Sequence, residues 1–137
     1  MPLLEQVLEK YPGKVRLAYK SFPIKSHKLA KLAAQAALAA GQQKKFWQYH
    51  DRLYENYNKL TPELLEQFAR DMGLDMDRFQ KDRNSRELLS LINRDIQEGV
   101  RIGVRGTPTI FINGKRLEQR SLEGFSAVID NALNVRK

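Results

Sequence analysis

The stretch GVRGTPTIFING, residues 103–114, constrains the fold of this chain more than any other segment. Pro108 fixes its own φ and lacks a backbone donor at the head of an apolar run. Residues 109–112 are β-branched or aromatic, which is the composition of a buried strand. Asn113-Gly114 is the strongest short signal for a two-residue hairpin turn. The sequence therefore predicts a loop at Gly106-Thr107-Pro108 that leads into a strand–turn–strand hairpin.

Helical periodicity dominates the rest of the chain. The chain is predicted to begin with a helix, followed by a strand over residues 14–20. A helix over residues 27–40 comes next, with Ser26 as its N-cap. Four helices follow: 44–57, one after Thr61-Pro62, a short one after Asp75, and a long one from Asn84 or Ser85 to about residue 102. Ser121 caps a last helix after the hairpin. This order predicts a single domain over residues 1–137, an α/β core with a helical subdomain inserted at about residues 27–102.

Aromatic residues in the second helix of this insertion allow two interpretations. Phe46, Trp47, Leu53 and Tyr54 are predicted to anchor it to the core. The alternative is a binding face formed by Trp47 together with Phe46, Tyr49, Tyr54 and Tyr57.

The chain contains no cysteine among its 137 residues. Disulfides, thiolate metal sites and cysteine nucleophiles are therefore excluded. No apolar run approaches the roughly 20 residues that a membrane span needs. The N-terminus lacks the basic start and apolar run of a secretory signal, so the chain as given is expected in the cytoplasm.

The formal net charge of +8 is unevenly distributed, with an acidic middle and two basic flanks. A basic surface can attract nucleic acid or anionic membranes. The basic residues here are dispersed and are not interleaved with stacking aromatics, so we interpret them as a solvated surface and expect no nucleic-acid partner.

Metal or catalytic roles are not expected for the two histidines, His27 and His50, because they lie far apart without ligand-type neighbours. Asp71, Asp75 and Asp77 resemble a fragment of a calcium loop. The spacing of the glycine and of the terminal glutamate is wrong for such a loop, and helix capping explains Asp75 better. No metal site is predicted.

The order of elements and three motifs resemble the DsbA-like branch of the thioredoxin superfamily. LEKYPGKVRLAYKSFPI resembles the end of that family's first helix, a turn and its second core strand. HKLAKLAAQAALAAGQQKKFWQYHDRLYEN resembles the inserted helical region, and EGVRIGVRGTPTIFINGKRL resembles the approach helix, proline loop and terminal hairpin. The resemblance covers nearly the whole chain. It implies a thioredoxin-like α/β fold, a cis Thr107–Pro108 bond, and an extended peptide or protein thiol substrate at Gly106, Thr107 and Pro108.

The chain departs from the family pattern at its start. Family members begin with a core strand and a Cys-x-x-Cys motif at the first helix, whereas Met1 here falls inside that helix. The pattern resembles a truncation that removes the first core strand together with both cysteines. Hydroxyl side chains cannot replace a thiolate in disulfide exchange, so no catalytic residue and no cofactor are predicted.

The missing strand lies, by resemblance, between residues 14–20 and 109–112. Its absence exposes unpaired backbone groups, which recruit other strands, so we expect a homo-oligomer through the open sheet edge.

Three functional hypotheses follow from the resemblance. The first is a thiol:disulfide oxidoreductase fold that is redox-inactive as given, whose full-length form oxidises or isomerises disulfides in exported proteins. The second is a non-catalytic peptide-binding or scaffold module. The third is an enzyme resembling kappa-type glutathione transferases, which share the helical insertion. The family implies an extracytoplasmic location.

Overall fold

Seven helices and one short hairpin are formed by residues 2–23 and 29–135, the part of the chain that the computed structural model describes. The helices are α1 (Pro2–Lys10), α2 (Ala30–Gln42), α3 (Phe46–Glu55), α4 (Pro62–Asp71), α5 (Met76–Arg83), α6 (Arg86–Arg101) and α7 (Leu122–Val135). The strands are β1 (Phe111–Ile112) and β2 (Lys115–Arg116), paired antiparallel. Among these helices, none has both the length and the apolar character to cross a membrane.

The chain divides into two units. The hairpin unit consists of Met1–Tyr19 and Gly106–Lys137, and the helical unit consists of Lys20–Arg105. The helical unit corresponds closely to the insertion predicted at about residues 27–102. That both units form a single domain stays a prediction.

Three predicted N-caps in the helical unit are confirmed. Thr61 Oγ1 accepts from the amide of Leu64 at 3.1 Å, and Asp75 Oδ1 accepts from that of Arg78 at 3.1 Å. Ser85 Oγ accepts from Leu88 N at 3.2 Å. A side-chain oxygen at this position satisfies an amide that has no partner within the helix, so these three starts are determined locally.

The prediction for α2 is corrected at both ends. The helix begins at Ala30, where the preceding Leu29 supplies no side-chain cap, and it continues through Gly41 to Gln42. Ser26 and His27, the predicted cap and first residue, lie outside the described residues. Gly41 is tolerated inside the helix because tertiary packing outweighs its weak helix propensity. A Cβ at Gly41 would lie only 3.3 Å from the Cβ of Phe46, so the absence of a side chain allows this close packing.

The strand predicted over residues 14–20 is wrong. This segment forms no regular secondary structure, and within the described residues the backbones of Val15, Arg16 and Leu17 have no hydrogen-bond partner. β-prone composition is insufficient because a strand exists only when a neighbouring strand pairs with its backbone.

The helical unit has its own core, in which Tyr49 and Phe79 are fully buried. The Tyr49 hydroxyl donates to the carbonyl of Leu65 at 2.7 Å, so the one polar atom of that ring is satisfied. The buried cluster also contains alanines of α2 and the side chains of Phe68, Ala69, Leu74 and Leu88.

The anchors predicted for α3 are partly wrong. Trp47 and Tyr54 are exposed, whereas Phe46 and Leu53 pack against the core beside buried Tyr49. Phe46, Tyr49 and Leu53 share one helical stripe, and Trp47 and Tyr54 lie seven residues apart on a neighbouring one. Both stripes are apolar in the sequence, so periodicity did not distinguish them.

The hairpin unit buries a second cluster, formed by Val7, Tyr11, Leu117, Phe125 and Ile129. Two long-range hydrogen bonds of 2.7 Å hold the last residue of α1 and the residue after it to α7. Lys10 Nζ donates to Ser126 Oγ, and the Tyr11 hydroxyl donates to Asp130 Oδ1.

Candidate functional site

The predicted hairpin is present, but its first strand, Phe111–Ile112, is shorter than the strand predicted over residues 109–112. Asn113 and Gly114 have φ of 49° and 83°, and Phe111 pairs with Arg116. Positive φ at both central residues is the requirement of a type I′ turn, which Asn-Gly meets at low cost. This turn fixes where β1 begins to pair, and hence the position of the loop before it.

Gly106, Thr107 and Pro108 form a loop at the head of β1. The side chains of Thr107 and Pro108 are exposed, and the bond between them is cis. The Thr109 hydroxyl donates to the Gly106 carbonyl at 2.7 Å, and Arg120 Nη1 reaches the Pro108 carbonyl at 3.4 Å. The loop is therefore held from both sides, and its role in binding stays a prediction.

The backbone of Thr107 makes no hydrogen bond to any residue in the described part of the chain. A Cβ added at the preceding Gly106 would meet no atom within 4 Å. The loop therefore offers one free amide, one free carbonyl and an unobstructed approach. These are the groups that an extended peptide uses in β-type pairing.

Sequence reasoning missed the two side chains that position the loop. The composition of residues 109–112 predicts only a strand at Thr109, although hydroxyl side chains commonly bond to a carbonyl three residues earlier. No local sequence pattern identifies Arg120 as a residue that positions the loop, because its partner at Pro108 lies across the hairpin.

Few other groups in the described residues have catalytic potential. The described part of the chain contains no cluster of three or more histidine, aspartate or glutamate residues suited to a metal ion. Asp95 is buried, but its Oδ2 accepts from the amide of Ser21 at 3.1 Å and its Oδ1 lies 3.8 Å from Lys20 Nζ. That carboxylate fastens the start of the helical unit to α6.

His50 is a half-buried residue of α3 between aromatic rings. Its ring centroid lies 5.9 Å from that of Phe46 and 5.6 Å from that of Trp47. Burial lowers the pKa of His50 below its usual 6.5, and the Asp51 carboxylate, 3.8 Å from Nδ1, opposes that shift. The imidazole is therefore held in its neutral form at neutral pH.

We expect acidification to destabilise the protein through His50. The folded state holds its proton less tightly than the unfolded state, so the unfolded state binds more protons once the pH falls below about 6.5. The free energy of unfolding should then decrease as the pH falls from 6.5 through the folded-state pKa. Urea unfolding between about pH 7.5 and 5.5, above the range of most carboxylates, measures this slope.

His50→Gln keeps a polar side chain that does not titrate and is the comparison. It should flatten the pH dependence relative to the wild type. An unchanged slope would show that His50 is not the titrating group.

A comparison with family models identifies the family of this chain, and searches of known proteins find several relatives. A family model described as thioredoxin matches residues 2–131. The chain is 34% identical over 133 residues to the Na(+)/H(+) antiporter NhaA 3 of Salinispora tropica, covering 96% of this chain and 20% of that protein. It is 29% identical to the Probable disulfide bond formation protein D of Bacillus anthracis, covering 96% of this chain and 63% of the relative.

A solved structure has a similar fold. The thioredoxin-like oxidoreductase from Silicibacter pomeroyi DSS-3 superposes with a TM-score of 0.78 over 98% of this chain and 77% of that one, at 24% identity. The fold is therefore thioredoxin-like, as predicted. The chain spans a fifth of the antiporter that it matches and less than two thirds of the disulfide bond formation protein.

Proposed function

Because this chain belongs to the thioredoxin family, we propose that its 137 residues bind extended peptides at Gly106, Thr107 and Pro108 without carrying out thiol chemistry. The observation that carries the proposal is the free backbone of Thr107 in an exposed loop. Pairing with a peptide requires only such N–H and C=O groups, and no side chain of the loop has to react.

Redox inactivity follows from the composition. Disulfide exchange proceeds by thiolate attack and a mixed disulfide, and these 137 residues contain no thiol. Insulin should therefore be reduced no faster in the presence of this chain than by the added reductant alone. Turnover above that rate would refute the inactivity.

The substrate class is proposed from the relatives. The peptides that we propose are segments of exported proteins that acquire disulfides, and the chain would bind them outside the cytoplasm. Similarity to a disulfide bond formation protein supports this class of substrate. A full-length form with a Cys-x-x-Cys motif would oxidise or isomerise those disulfides. Assembly of this chain into a homo-oligomer through the open sheet edge also stays a prediction.

Gly106→Ala separates peptide binding from stability. The new methyl group meets no atom within 4 Å and φ lies outside the left-handed region, so the free energy of unfolding should be unchanged or slightly raised. The same methyl group lies where a peptide backbone must approach Thr107. Losing one or two backbone hydrogen bonds should weaken binding about five- to tenfold, measured by fluorescence anisotropy of a labelled extended peptide.

Asn134→Ala, an exposed change on α7, is the matched control and should bind the peptide like the wild type. Equal affinities for the wild type and Gly106→Ala would show that the peptide does not approach this loop.

A further inference from the structure

One side of α3 in the helical unit exposes two aromatic rings with a carboxylate between them. Trp47 is 42% exposed and Tyr54 is 57% exposed, and Asp51 of the intervening turn is exposed as well. Their spacing of four and three residues places them on the same side of the helix, with the two aromatic residues about 10 Å apart along its axis. Trp47, Asp51 and Tyr54 are named the α3 face. Tryptophan and tyrosine are enriched where proteins bind one another, so this face is a candidate contact surface.

The α3 face is negatively charged, although the whole chain carries a net charge of +8. Asp51 lies 3.8 Å from Nδ1 of His50, whose imidazole is neutral at neutral pH and leaves the carboxylate uncompensated. Glu55, one turn further along α3, makes no ion pair with any residue in the described part of the chain. Arg52, the only lysine or arginine of α3, has its guanidinium 5.9 Å from the ring centroid of Phe68. The two carboxylates are therefore available to a cation from outside the chain.

The surrounding charges restrict what that cation belongs to. Lys44 and Lys45 precede α3 and Lys59 follows it, so a long run of positive charge is repelled at both ends. An anionic membrane attracts aromatic residues and lysines, but it would meet the Asp51 carboxylate between the rings. A second copy of this chain brings its own net charge of +8. A single cation on an otherwise apolar segment matches the pattern best.

Arginine suits this arrangement better than lysine. Its guanidinium is planar, stacks on aromatic rings and forms two parallel hydrogen bonds with one carboxylate. A cation is attracted to an aromatic ring when it lies within about 6 Å of the ring centroid. Asp51 lies about midway between two residues that are about 10 Å apart, so a guanidinium bonded to it reaches both rings.

We propose that the α3 face binds an arginine side chain of another protein, presented on a short segment in which apolar residues flank the arginine. The guanidinium pairs with Asp51 and lies between Trp47 and Tyr54, and the flanking apolar side chains cover the outer surfaces of the two rings. The α3 face belongs to the helical unit, and the inference does not depend on the peptide binding proposed for the loop at Gly106-Thr107-Pro108.

The first test uses the fluorescence of Trp47, which is the only tryptophan of the chain and therefore reports on this face. The probe is the peptide acetyl-Ala-Leu-Arg-Leu-Ala-amide, which has no aromatic residue. Contacts of this size correspond to a dissociation constant of about 1 mM or lower, so the titration extends to about 10 mM peptide. A saturable change in fluorescence is expected.

A peptide with citrulline in place of arginine is the matched control. Citrulline has nearly the same shape but no charge, so binding should weaken about fivefold or more. Added salt should weaken binding of the arginine peptide, because the ion pair is exposed. Equal binding of the two peptides, or no saturable change with either, would overturn the proposal.

Protein variants locate the contact. Asp51→Asn should weaken binding about three- to fivefold, whereas Asp77→Asn, the same change on α5, should leave it unchanged. Tyr54→Leu keeps an apolar side chain without a ring and should weaken binding about two- to fivefold, whereas Tyr57→Leu, beyond the end of α3, should not. All four side chains are exposed, and circular dichroism verifies that each variant folds.

The remaining outcomes separate this face from the other possible sites and occupants. Gly106→Ala should leave the response of Trp47 to the arginine peptide unchanged, and loss of that response would assign the peptide to the loop. Phosphatidylserine vesicles that shift the Trp47 emission to the blue, more strongly in Asp51→Asn, would assign the face to a membrane. A dimer in light scattering that Tyr54→Leu dissociates and the peptide does not would assign it to a second copy. Each of these three results would overturn the proposal.

Discussion

Phe79→Ala is expected to lower the free energy of unfolding by about 3–5 kcal/mol. The ring is fully buried in the helical unit, with its centroid 6.1 Å from that of Tyr49 and the Arg83 guanidinium 5.5 Å above it. Truncation loses the burial of the ring and leaves a cavity that rigid helices fill only in part. For a chain of this size the melting temperature should fall by about 10–20 °C, measured by thermal and urea unfolding.

Tyr57→Ala removes an aromatic ring of similar size from the surface and is the control. Its side chain is 74% exposed, so the free energy of unfolding should change by less than about 0.5 kcal/mol. Similar losses in the two variants would contradict the location of the core.

Gly124→Ala is expected to destabilise the protein by about 1–3 kcal/mol, although alanine is the better helix former. Helix propensity alone favours alanine by about 1 kcal/mol. A Cβ at this position of α7, however, would collide with the backbone carbonyl of Gln119. Because a backbone group cannot rotate away as a flexible side chain does, overpacking should outweigh propensity, and urea unfolding measures the sign.

The same substitution should also weaken peptide binding. The turn that contains Gln119 carries Arg120, which holds the Pro108 carbonyl at 3.4 Å. Displacing the turn therefore moves Arg120 and disturbs its contact with the Pro108 carbonyl in the loop. Gly106→Ala is the control for stability, since its methyl group meets open space. If Gly124→Ala instead stabilises the protein, the turn at Gln119 moves aside at little cost in free energy, and the helix propensity of alanine outweighs the steric clash.

Local signals carried most of the accurate sequence predictions. The caps at Thr61, Asp75 and Ser85 each bond to an amide three residues later, so the whole interaction is contained in a short window. The Asn113-Gly114 turn is local in the same way, because its two φ values depend on its own residues.

Predictions that depended on distant partners were less accurate. Residues 14–20 have the composition of a strand but no neighbour that pairs with them. On α3, the sequence contained two apolar stripes, and only packing against the other helices determined that Tyr49 is buried and Trp47 exposed. The loop at Gly106-Thr107-Pro108 was found from sequence, whereas the contact of Arg120 with the Pro108 carbonyl depends on how the chain folds back after the hairpin.

Amide chemical shifts of the nitrogen-15-labelled chain, titrated with a cysteine-free extended peptide, test the central claim most directly. Peptide binding without thiol chemistry predicts that the largest shift changes occur at Gly106, Thr107 and Thr109, and that they are the same with and without reductant. No change on titration, or changes that are largest in the helices between residues 29 and 101, would contradict the account.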